Sequence, residues 1–408
     1  MRSEQAFGQS NISSYRPSPA TLKAAIRAAL PAIKERAVAT ERARRVPAEN
    51  IDALRAAGLF RVVQPREFGG YEYDFHVLVD LIVEIGRVCA STAWVGGLFA
   101  AHQWLLANMS LQAQRDVWDG DTNAVLCGSY APACNAVQDA DGYRLTGRWA
   151  FASGCDNAQW SFLAAMLPGQ SEGAPPQPAF LLAPASDYRI DDTWDVVGLA
   201  GTGSKTLVLE DARVPSYRVL RFSETVTGQS PGAAIYPNRG FDIPMLCLIP
   251  SCLAATAVGT AQGALEDYLA QTNGRITRGA VAGANNKMAE FATIQLRVAE
   301  AAASTDAARV ILLRDLQNTT QKIRDTGAID IEDRITSRRG QAFAVSLAIR
   351  AAEALNASTG GNGLDLSNSV QRAWRDANAV GRHISLNWDA VGTMYGQMAL
   401  GLVPKGQY

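Results

Sequence analysis

The sequence predicts a mostly helical α+β protein built in three parts, in the order helices, strands, helices. Between residues 20 and 123 apolar side chains recur at helical spacing, which indicates an N-terminal helical domain. Between 124 and 222 short β-branched and aromatic runs alternate with turn residues, which is typical of a small β-barrel or β-sandwich. Between 241 and 403 four long amphipathic stretches joined by short links predict a C-terminal four-helix bundle.

The N-terminal part begins with a polar segment, residues 1–19, which ends in Pro17 and Pro19 and which we expect to be a flexible arm or an oligomer contact. Apolar periodicity, a proline at a helix start and glycines at helix ends then mark the helices. The predicted helices of this domain are 21–38, 47–54, 75–86, 91–108 and 111–117.

The spacing of apolar residues changes from helical to strand-like at the central domain and back to helical after it, and this change predicts the elements of both parts. The Gly-, Pro- and Ser-rich segment 168–178 is predicted to be a loop between strands. The predicted strands are 124–127, 143–145, 160–166, 179–183, 194–197 and 206–209. The predicted bundle helices are 254–273, 288–314, 330–355 and 370–382.

Composition limits the partners. The 408 residues are 48% hydrophobic, which suits a globular protein with a large core. With 38 basic and 39 acidic residues the net charge is −1, so we expect a small ligand and no binding to nucleic acid or to a membrane surface. The six cysteines show neither CxxC pairs nor a zinc-like Cys/His spacing, which predicts reduced thiols and no metal site.

The location is expected to be cytoplasmic. The first residues lack the apolar core and cleavage site of a secretory signal. The longest apolar run, 246–264, contains Pro250 and several Ser and Thr residues, so we interpret it as a buried bundle helix rather than a membrane span.

One predicted strand has the features of a cofactor site. After the turn at Gly142, its apolar residues alternate with period two, and the pattern stops at Ser153-Gly154. A hydroxyl and backbone N–H groups would therefore lie beside two large aromatics, Trp149 and Phe151, which is a plausible seat for a flat, hydrogen-bonding ring. An ordinary hairpin with a Ser-Gly turn is the alternative.

This segment resembles the flavin-contacting strand of the acyl-CoA dehydrogenase fold, in the variant found in flavin-dependent aromatic hydroxylases (group D monooxygenases). The order of helices, strands and bundle also matches that fold, and the resemblance extends over about 22–402. Similar blocks occur at Gly58-Leu59-Phe60 with Gly69-Gly70, in the loop and strand 194–215, and in the late Gly360-Gly361 and Arg375-Asp376-Ala377 motifs.

The resemblance implies a flavin site shared between subunits. An arginine of one subunit, Arg275 or Arg278, would reach the phosphate of a flavin held by its neighbour, which implies a homo-oligomer, most simply a tetramer. Ser153 would face flavin N5. The residues implied in cofactor binding are Trp149, Phe151, Ser153, Gly154, Thr202, Ser204, Arg275, Gly360 and Gly361.

The resemblance also implies a substrate pocket. His102, Ser129, Tyr130 and Trp104 would bind the substrate, with His102 contributing to catalysis, and His383 would activate the substrate as a base. A structural, hydrogen-bonded role is the alternative for each histidine.

The implied activity is that of the oxygenase component of a two-component flavin-dependent monooxygenase. A separate NAD(P)H–flavin reductase would supply FADH2 or FMNH2 by free diffusion, and oxygen would form a C4a-hydroperoxyflavin that hydroxylates a small aromatic substrate such as a phenol or an indole. The two positions where dehydrogenases carry their catalytic carboxylate hold Ile384 and a residue near Ile249. The alternatives are an N- or S-oxygenase acting on an amino sugar or a thioether, an acyl-CoA dehydrogenase, and a bundle protein without flavin.

Overall fold

The computed structural model describes residues 15–171, 173–277 and 286–408, so most of the expected arm lies outside the described residues. The mostly helical α+β class is confirmed, with helices before and after two four-stranded sheets.

The N-terminal helices are α1 (Pro19–Ala43), α2 (Ala48–Ala56), α3 (Phe75–Gly86), α4 (Ala90–Ala107) and α5 (Leu111–Trp118). Helix α1 begins where the Ser18 hydroxyl accepts a hydrogen bond from the N–H of Thr21 and Pro19 occupies the first turn, two features that favour a helix start. It ends at Arg44, whose φ of 52° is left-handed.

Helix α4 lies in the interior, because every one of its residues except Leu98 is buried. Its glycines allow neighbouring helices to approach: a Cβ on Gly96 would lie 2.8 Å from Leu54 Cδ1, and one on Gly97 would lie 2.9 Å from Ile82 Cδ1. Side chains on different sides of α4 therefore contact different neighbouring elements.

The central strands form two sheets of four, ordered β1-β4-β5-β8 and β2-β3-β7-β6. Strands β1 and β4 pair in parallel, and the other pairs of named strands are antiparallel. The strands are β1 (Leu126–Ser129), β2 (Val137–Asp139), β3 (Gly142–Ala152), β4 (Trp160–Leu167), β5 (Gln177–Pro184), β6 (Arg189–Asp191), β7 (Lys205–Pro215) and β8 (Val219–Arg221).

The pairing of β3 with β7 is interrupted near its end. Trp149 pairs with Leu207, but the next pair joins Ala152 to Lys205, so β3 carries one extra residue. Phe151 lies in this bulge with a φ of 64°, and its side chain is 70% exposed. A bulge of this kind redirects a side chain out of the regular alternation.

The C-terminal part packs its helices around one apolar helix. The helices after β8 are α6 (Phe222–Thr227), α7 (Met245–Thr272), α8 (Ala292–Thr326), α9 (Ile331–Asn356), α10 (Ser369–Gly381) and α11 (Trp388–Ala399). By length and composition α7 could cross a membrane, but 89% of its most apolar window is buried against the other helices of the chain.

One predicted strand, 194–197, is wrong. This segment is irregular, because side chains rather than a neighbouring strand satisfy its backbone. Arg44 donates to the carbonyl of Trp194 at 2.8 Å, Arg375 donates to the carbonyl of Val197 at 2.7 Å, and the indole of Trp194 donates to the carbonyl of Leu199 at 3.2 Å.

Candidate active site

Three hydroxyl side chains meet in a short chain of hydrogen bonds beside α4. The Oγ of Ser204 lies 2.7 Å from the Oγ of Ser153 and 2.7 Å from the Oγ1 of Thr202. Thr202 donates to the carbonyl of Leu199 at 2.8 Å, and the indole N–H of Trp94 donates to Ser153 at 3.0 Å. The sequence analysis implied cofactor binding for all three hydroxyl residues, and the pairing of β3 with β7 brings them together.

The direction of these hydrogen bonds can be assigned. The single proton of Thr202 is used on a carbonyl, so Ser204 must donate to Thr202, and Ser153 must then donate to Ser204. Ser153 already accepts from Trp94 and keeps one lone pair. Towards a ligand, Ser153 can therefore act only as an acceptor, and it suits an N–H group.

The turn at Gly154 holds Ser153 against α4. Gly154 has a left-handed φ of 74°, and its N–H donates to the carbonyl of Thr202 at 2.9 Å. A Cβ on Gly154 would lie 2.6 Å from Val95 Cγ1 and 2.8 Å from Phe99 Cζ, so any larger residue would push the turn away from the helix.

The two aromatics of β3 have different environments. The ring of Phe151 meets that of Trp194 edge-on at 5.9 Å, and the neighbouring Val197 side chain is 75% exposed, so these residues form an uncovered apolar surface. Trp149 is fully buried, and its indole donates to the carbonyl of Ala164 at 2.7 Å. The structure therefore places Phe151 at the surface beside the hydroxyl chain and Trp149 between the sheets.

His102 lies in a buried, polar position between α4 and the end of β1. Its Nδ1 lies 2.6 Å from the carbonyl oxygen of Leu126; a carbonyl can only accept, so Nδ1 carries the proton and Nε2 is an acceptor. Burial lowers the pKa of His102 to about 4, which keeps the ring neutral. Within the described residues, Nε2 of His102 and the hydroxyl of Tyr130 are both buried without a hydrogen-bond partner.

The surroundings of Tyr130 complete this position, which we call the His102 end of the site. The rings of His102 and Tyr130 lie 5.8 Å apart, and burial raises the pKa of the Tyr130 hydroxyl, which keeps it protonated. Ser129 is adjacent in sequence, and its hydroxyl donates to the carbonyl of Ala150 at 2.7 Å. Ser129 thus keeps only acceptor capacity for a ligand.

Trp104 does not join the His102 end. Two residues along a helix are about 200° apart around its axis, and Trp104 accordingly packs on the other side of α4. Its ring meets Phe75 edge-on at 5.8 Å and its N–H donates to the carbonyl of Gly240 at 3.0 Å. The implied substrate contact of Trp104 is not supported by this placement.

His383 follows α10 and marks a second end of the site, which we call the His383 end. Its ring meets the ring of Trp94 edge-on at 5.8 Å, and its Nδ1 accepts the N–H of Ser385 at 3.2 Å. Burial and the nearby Arg338 lower the pKa of His383 to about 4. The neutral ring therefore carries its proton on Nε2, which makes Nε2 a donor and not the base that the resemblance implied.

Arg275 and the late glycine loop form one cationic corner. Arg275 donates to the carbonyl of Thr359 at 2.5 Å, and a Cβ on Gly360, whose φ is 67°, would lie 2.5 Å from Arg275 Nη2. A Cβ on Gly361 would meet nothing within 4 Å, so this side of the loop is open. Arg278, the alternative phosphate ligand, lies outside the described residues.

Sequence patterns singled out neither Trp94 nor Arg338, and they singled out Asp376 without its partner. Trp94 is one apolar residue among many in a fully buried helix, and Arg338 sits in a helix of mixed polarity. Asp376 accepts the N–H of Leu199 at 2.6 Å and so connects α10 to the segment that carries Thr202 and Ser204. Burial raises the pKa of Asp376 to about 6. The Arg-Asp-Ala motif signalled Asp376 but gave no partner.

The sequence matches two family models and is similar to known flavin-dependent hydroxylases. The family model "Acyl-CoA dehydrogenase, N-terminal domain" matches residues 20–118, and "Acyl-CoA dehydrogenase, C-terminal domain" matches 251–388. The chain is 58% identical to the oxygenase component of an FADH(2)-dependent resorcinol hydroxylase from Rhizobium sp. (strain MTP-10005), over 98% of this chain and 100% of the relative.

More distant relatives cover nearly the whole chain as well. Identity is 38% to the flavin-dependent monooxygenase oxygenase subunit HsaA of Rhodococcus jostii (strain RHA1), over 92% of this chain and 97% of the relative. The solved structure of 3-HSA hydroxylase from Rhodococcus sp. RHA1 superposes with a TM-score of 0.89 at 35% identity, over 95% of this chain and 98% of that one.

Proposed function

Because this chain belongs to the acyl-CoA dehydrogenase family, as the oxygenase component of a two-component flavin-dependent aromatic hydroxylase, we propose that its substrate is a small dihydric phenol of the resorcinol type. Its reaction uses reduced flavin and molecular oxygen, and a separate reductase provides the reduced flavin. We propose FADH2 as the flavin, by analogy with the resorcinol hydroxylase, and its delivery by free diffusion in the cytoplasm.

The residues present fit a reduced flavin. Bound reduced flavin supplies the activation of oxygen. Ser153 can only accept towards a ligand, which suits the N5–H that a flavin gains on reduction. Phe151 and Val197 offer an exposed apolar surface for a flat ring, and Arg275 with Gly360 and Gly361 offers donors and space for a phosphate.

The observation that carries the substrate proposal is the pair of unpartnered polar atoms at the His102 end. A buried polar group without a partner costs roughly 1–3 kcal/mol, and two such atoms on rings whose centroids lie 5.8 Å apart favour a ligand that satisfies both. A phenolic hydroxyl does so, because it donates to Nε2 of His102 and accepts from the hydroxyl of Tyr130. Neutral His102 then accepts the hydrogen bond of this hydroxyl.

The two ends of the site favour a ring with two polar groups. Trp94, whose ring contacts that of His383, and His102 lie eight residues apart on α4, so their Cα atoms are about 12 Å apart along the helix axis. Nε2–H of His383 would donate to the second ring oxygen. The dehydrogenase alternative finds no support, because the two positions where the resemblance places the dehydrogenase base hold Ile384 and a residue near Ile249.

We further propose a homotetramer, or at least a dimer, in which Arg275 reaches the flavin of a partner. Within the described residues, no hydrogen bond joins the cationic corner of Arg275 to the hydroxyl chain of Ser153 in the same chain. Large apolar side chains near this corner and at the C-terminus are exposed, which suits burial between subunits. They are Leu364, Leu366, Leu400, Leu402 and Val403.

The substrate proposal is tested by comparing aromatic substrates under identical conditions. The protein with FADH2 is mixed with oxygen and resorcinol, phenol, catechol or indole, and hydroxylated product per oxygen consumed is measured. Resorcinol should give the highest ratio. A higher ratio with phenol or indole would overturn the dihydric assignment while leaving the hydroxylase activity in place.

A further inference from the structure

Arg338 is a buried cation. It lies on α9 and only 3% of its surface is exposed. Within the described residues no carboxylate lies within 4 Å of its guanidinium, and its Nε has no hydrogen-bond partner. Burying an unpaired charge is costly, so proteins rarely keep one unless it has a use.

The position of Arg338 is fixed by its neighbours. Its Nη1 donates to the amide oxygen of Gln341 at 3.0 Å. The amide nitrogen of Gln341 is held in turn by the carbonyl of Cys247 and the hydroxyl of Ser251, both on α7, at 3.1 Å. The guanidinium is therefore oriented by polar but uncharged groups, which leave its positive charge uncompensated.

Helix α9, which carries Arg338, packs against the turn Ile384–Leu386, and His383 is the residue that begins this turn. Arg338 interacts electrostatically with His383 and lowers the pKa of that imidazole. The other titratable groups around it are the Cys247 thiol, with its pKa raised by burial, and Arg334 one turn away on α9. Asp333 also acts on Cys247 but is paired with Lys322. Burial lowers the pKa of Arg338 itself to about 10, so the group remains charged at neutral pH.

We propose that Arg338 selects the ionised form of the substrate: its guanidinium, together with the Nε2–H of His383, holds one ring oxygen as a phenolate. This inference rests on the proposed function, because it assumes a phenol with its second oxygen at the His383 end. The O–H bond of that oxygen breaks on binding and its proton passes to water; no bond to carbon changes. A phenolate pushes electron density into the ring, which favours attack on an electrophilic oxygen.

The test uses 4-nitroresorcinol, whose ionisation changes its visible absorbance. The probe is titrated from low to high pH on the protein with FADH2 in the absence of oxygen. An opposite charge within a few ångströms shifts a pKa by roughly 1–3 units, so the bound probe should ionise at a pH lower than the free probe by at least the smaller of these shifts. The shift should be lost in Arg338→Met and partly kept in Arg338→Lys.

A matched control removes a neighbouring charge. Arg339 lies on the same helix but packs over the ring of Tyr395 at 4.4 Å. The probe bound to Arg339→Met should therefore ionise at the same pH as the probe bound to the unmodified protein. Thermal unfolding of each variant shows that it is folded. A bound probe that ionises as in water, or an equal shift in Arg338→Met, would overturn the inference.

The outcome is separable from that of the proposed function. If resorcinol is hydroxylated while the bound probe shows its ordinary ionisation, the role of Arg338 is wrong and the substrate assignment stands. If the ionisation is shifted but resorcinol is not hydroxylated, Arg338 is an anion site and the substrate assignment is wrong.

Discussion

The Nδ1 of His102 lies 2.6 Å from the carbonyl oxygen of Leu126, and this contact determines which nitrogen of the ring can take a proton. The contact fixes the proton on Nδ1 and leaves the buried Nε2 as an acceptor next to Tyr130. His383 has the opposite arrangement, because its Nδ1 accepts a backbone N–H from Ser385. The two histidines of the site are therefore a proton acceptor and a proton donor, respectively.

The first prediction concerns the stability of the protein in acid. The pKa of His102 is about 4 in the folded state and has its ordinary value of 6.5 in the unfolded chain. As the pH falls, the unfolded chain therefore takes up a proton at this residue before the folded protein does. Stability should therefore fall as the pH falls from 6.5 towards 4, with His102 contributing about 3 kcal/mol across this window. His102→Gln should remove this part of the pH dependence, measured by urea unfolding at several pH values; an equal slope in the variant would contradict the burial argument.

The second prediction separates the two possible roles of His383. If Nε2–H donates to the substrate, His383→Gln keeps a donor and should retain more hydroxylation than His383→Ala. If His383 were instead the base, both variants would lose activity equally, since an amide cannot take up a proton. The measurement is product formed per oxygen consumed for both variants, with thermal unfolding recorded to exclude a difference in folding.

The third prediction concerns Ser153, which accepts the Trp94 indole N–H. Ser153→Ala should cost about 0.5–1.5 kcal/mol of stability, as expected for one neutral hydrogen bond, and should release more hydrogen peroxide per oxygen consumed. The buried Ser161 on β4, which lies beside the Cys127 thiol, provides the control. Ser161→Ala should leave the peroxide yield unchanged; if both variants behave alike, Ser153 does not contact the flavin.

The fourth prediction tests the shared flavin site. Arg275→Ala and His102→Ala should each be poorly active, but co-expressed subunits should regain activity, because a mixed oligomer contains sites with both native residues. Recovery should approach about a quarter to a half of the native activity, depending on how subunits pair. A mixture no more active than its components, or a protein that is monomeric by light scattering and still active, would rule out the shared site.

Much of the fold and part of the site follow from local sequence patterns. The periodicity change near residue 124 and the long amphipathic stretches after 241 predict the α+β class, which the structure confirms. Sequence patterns point to two separate segments, one with Ser153 and one with Thr202 and Ser204. The pairing of Ala152 with Lys205 brings these segments together. Local pattern cannot supply that long-range register.

The remaining site residues depend on tertiary contacts. The strand pattern treats Trp149 and Phe151 alike, whereas the bulge in β3 turns Phe151 outward and leaves Trp149 between the sheets. The helical spacing of His102 and Trp104 already places them on different sides of α4, a constraint that the family resemblance alone does not express. The local sequence does not show that Arg338 is buried, because its burial depends on the packing of α9 against α7.

The central claim, that a buried neutral His102 takes the hydroxyl of a phenol, is tested most directly by one ratio. Hydroxylated resorcinol per oxygen consumed is measured with FADH2 in the unmodified protein and in His102→Ala, with His76→Ala as a control in the N-terminal helices. Hydroxylation by His102→Ala should slow by roughly 10²-fold or more, while oxygen is still consumed and hydrogen peroxide replaces the missing product. An unchanged ratio in His102→Ala would contradict the claim.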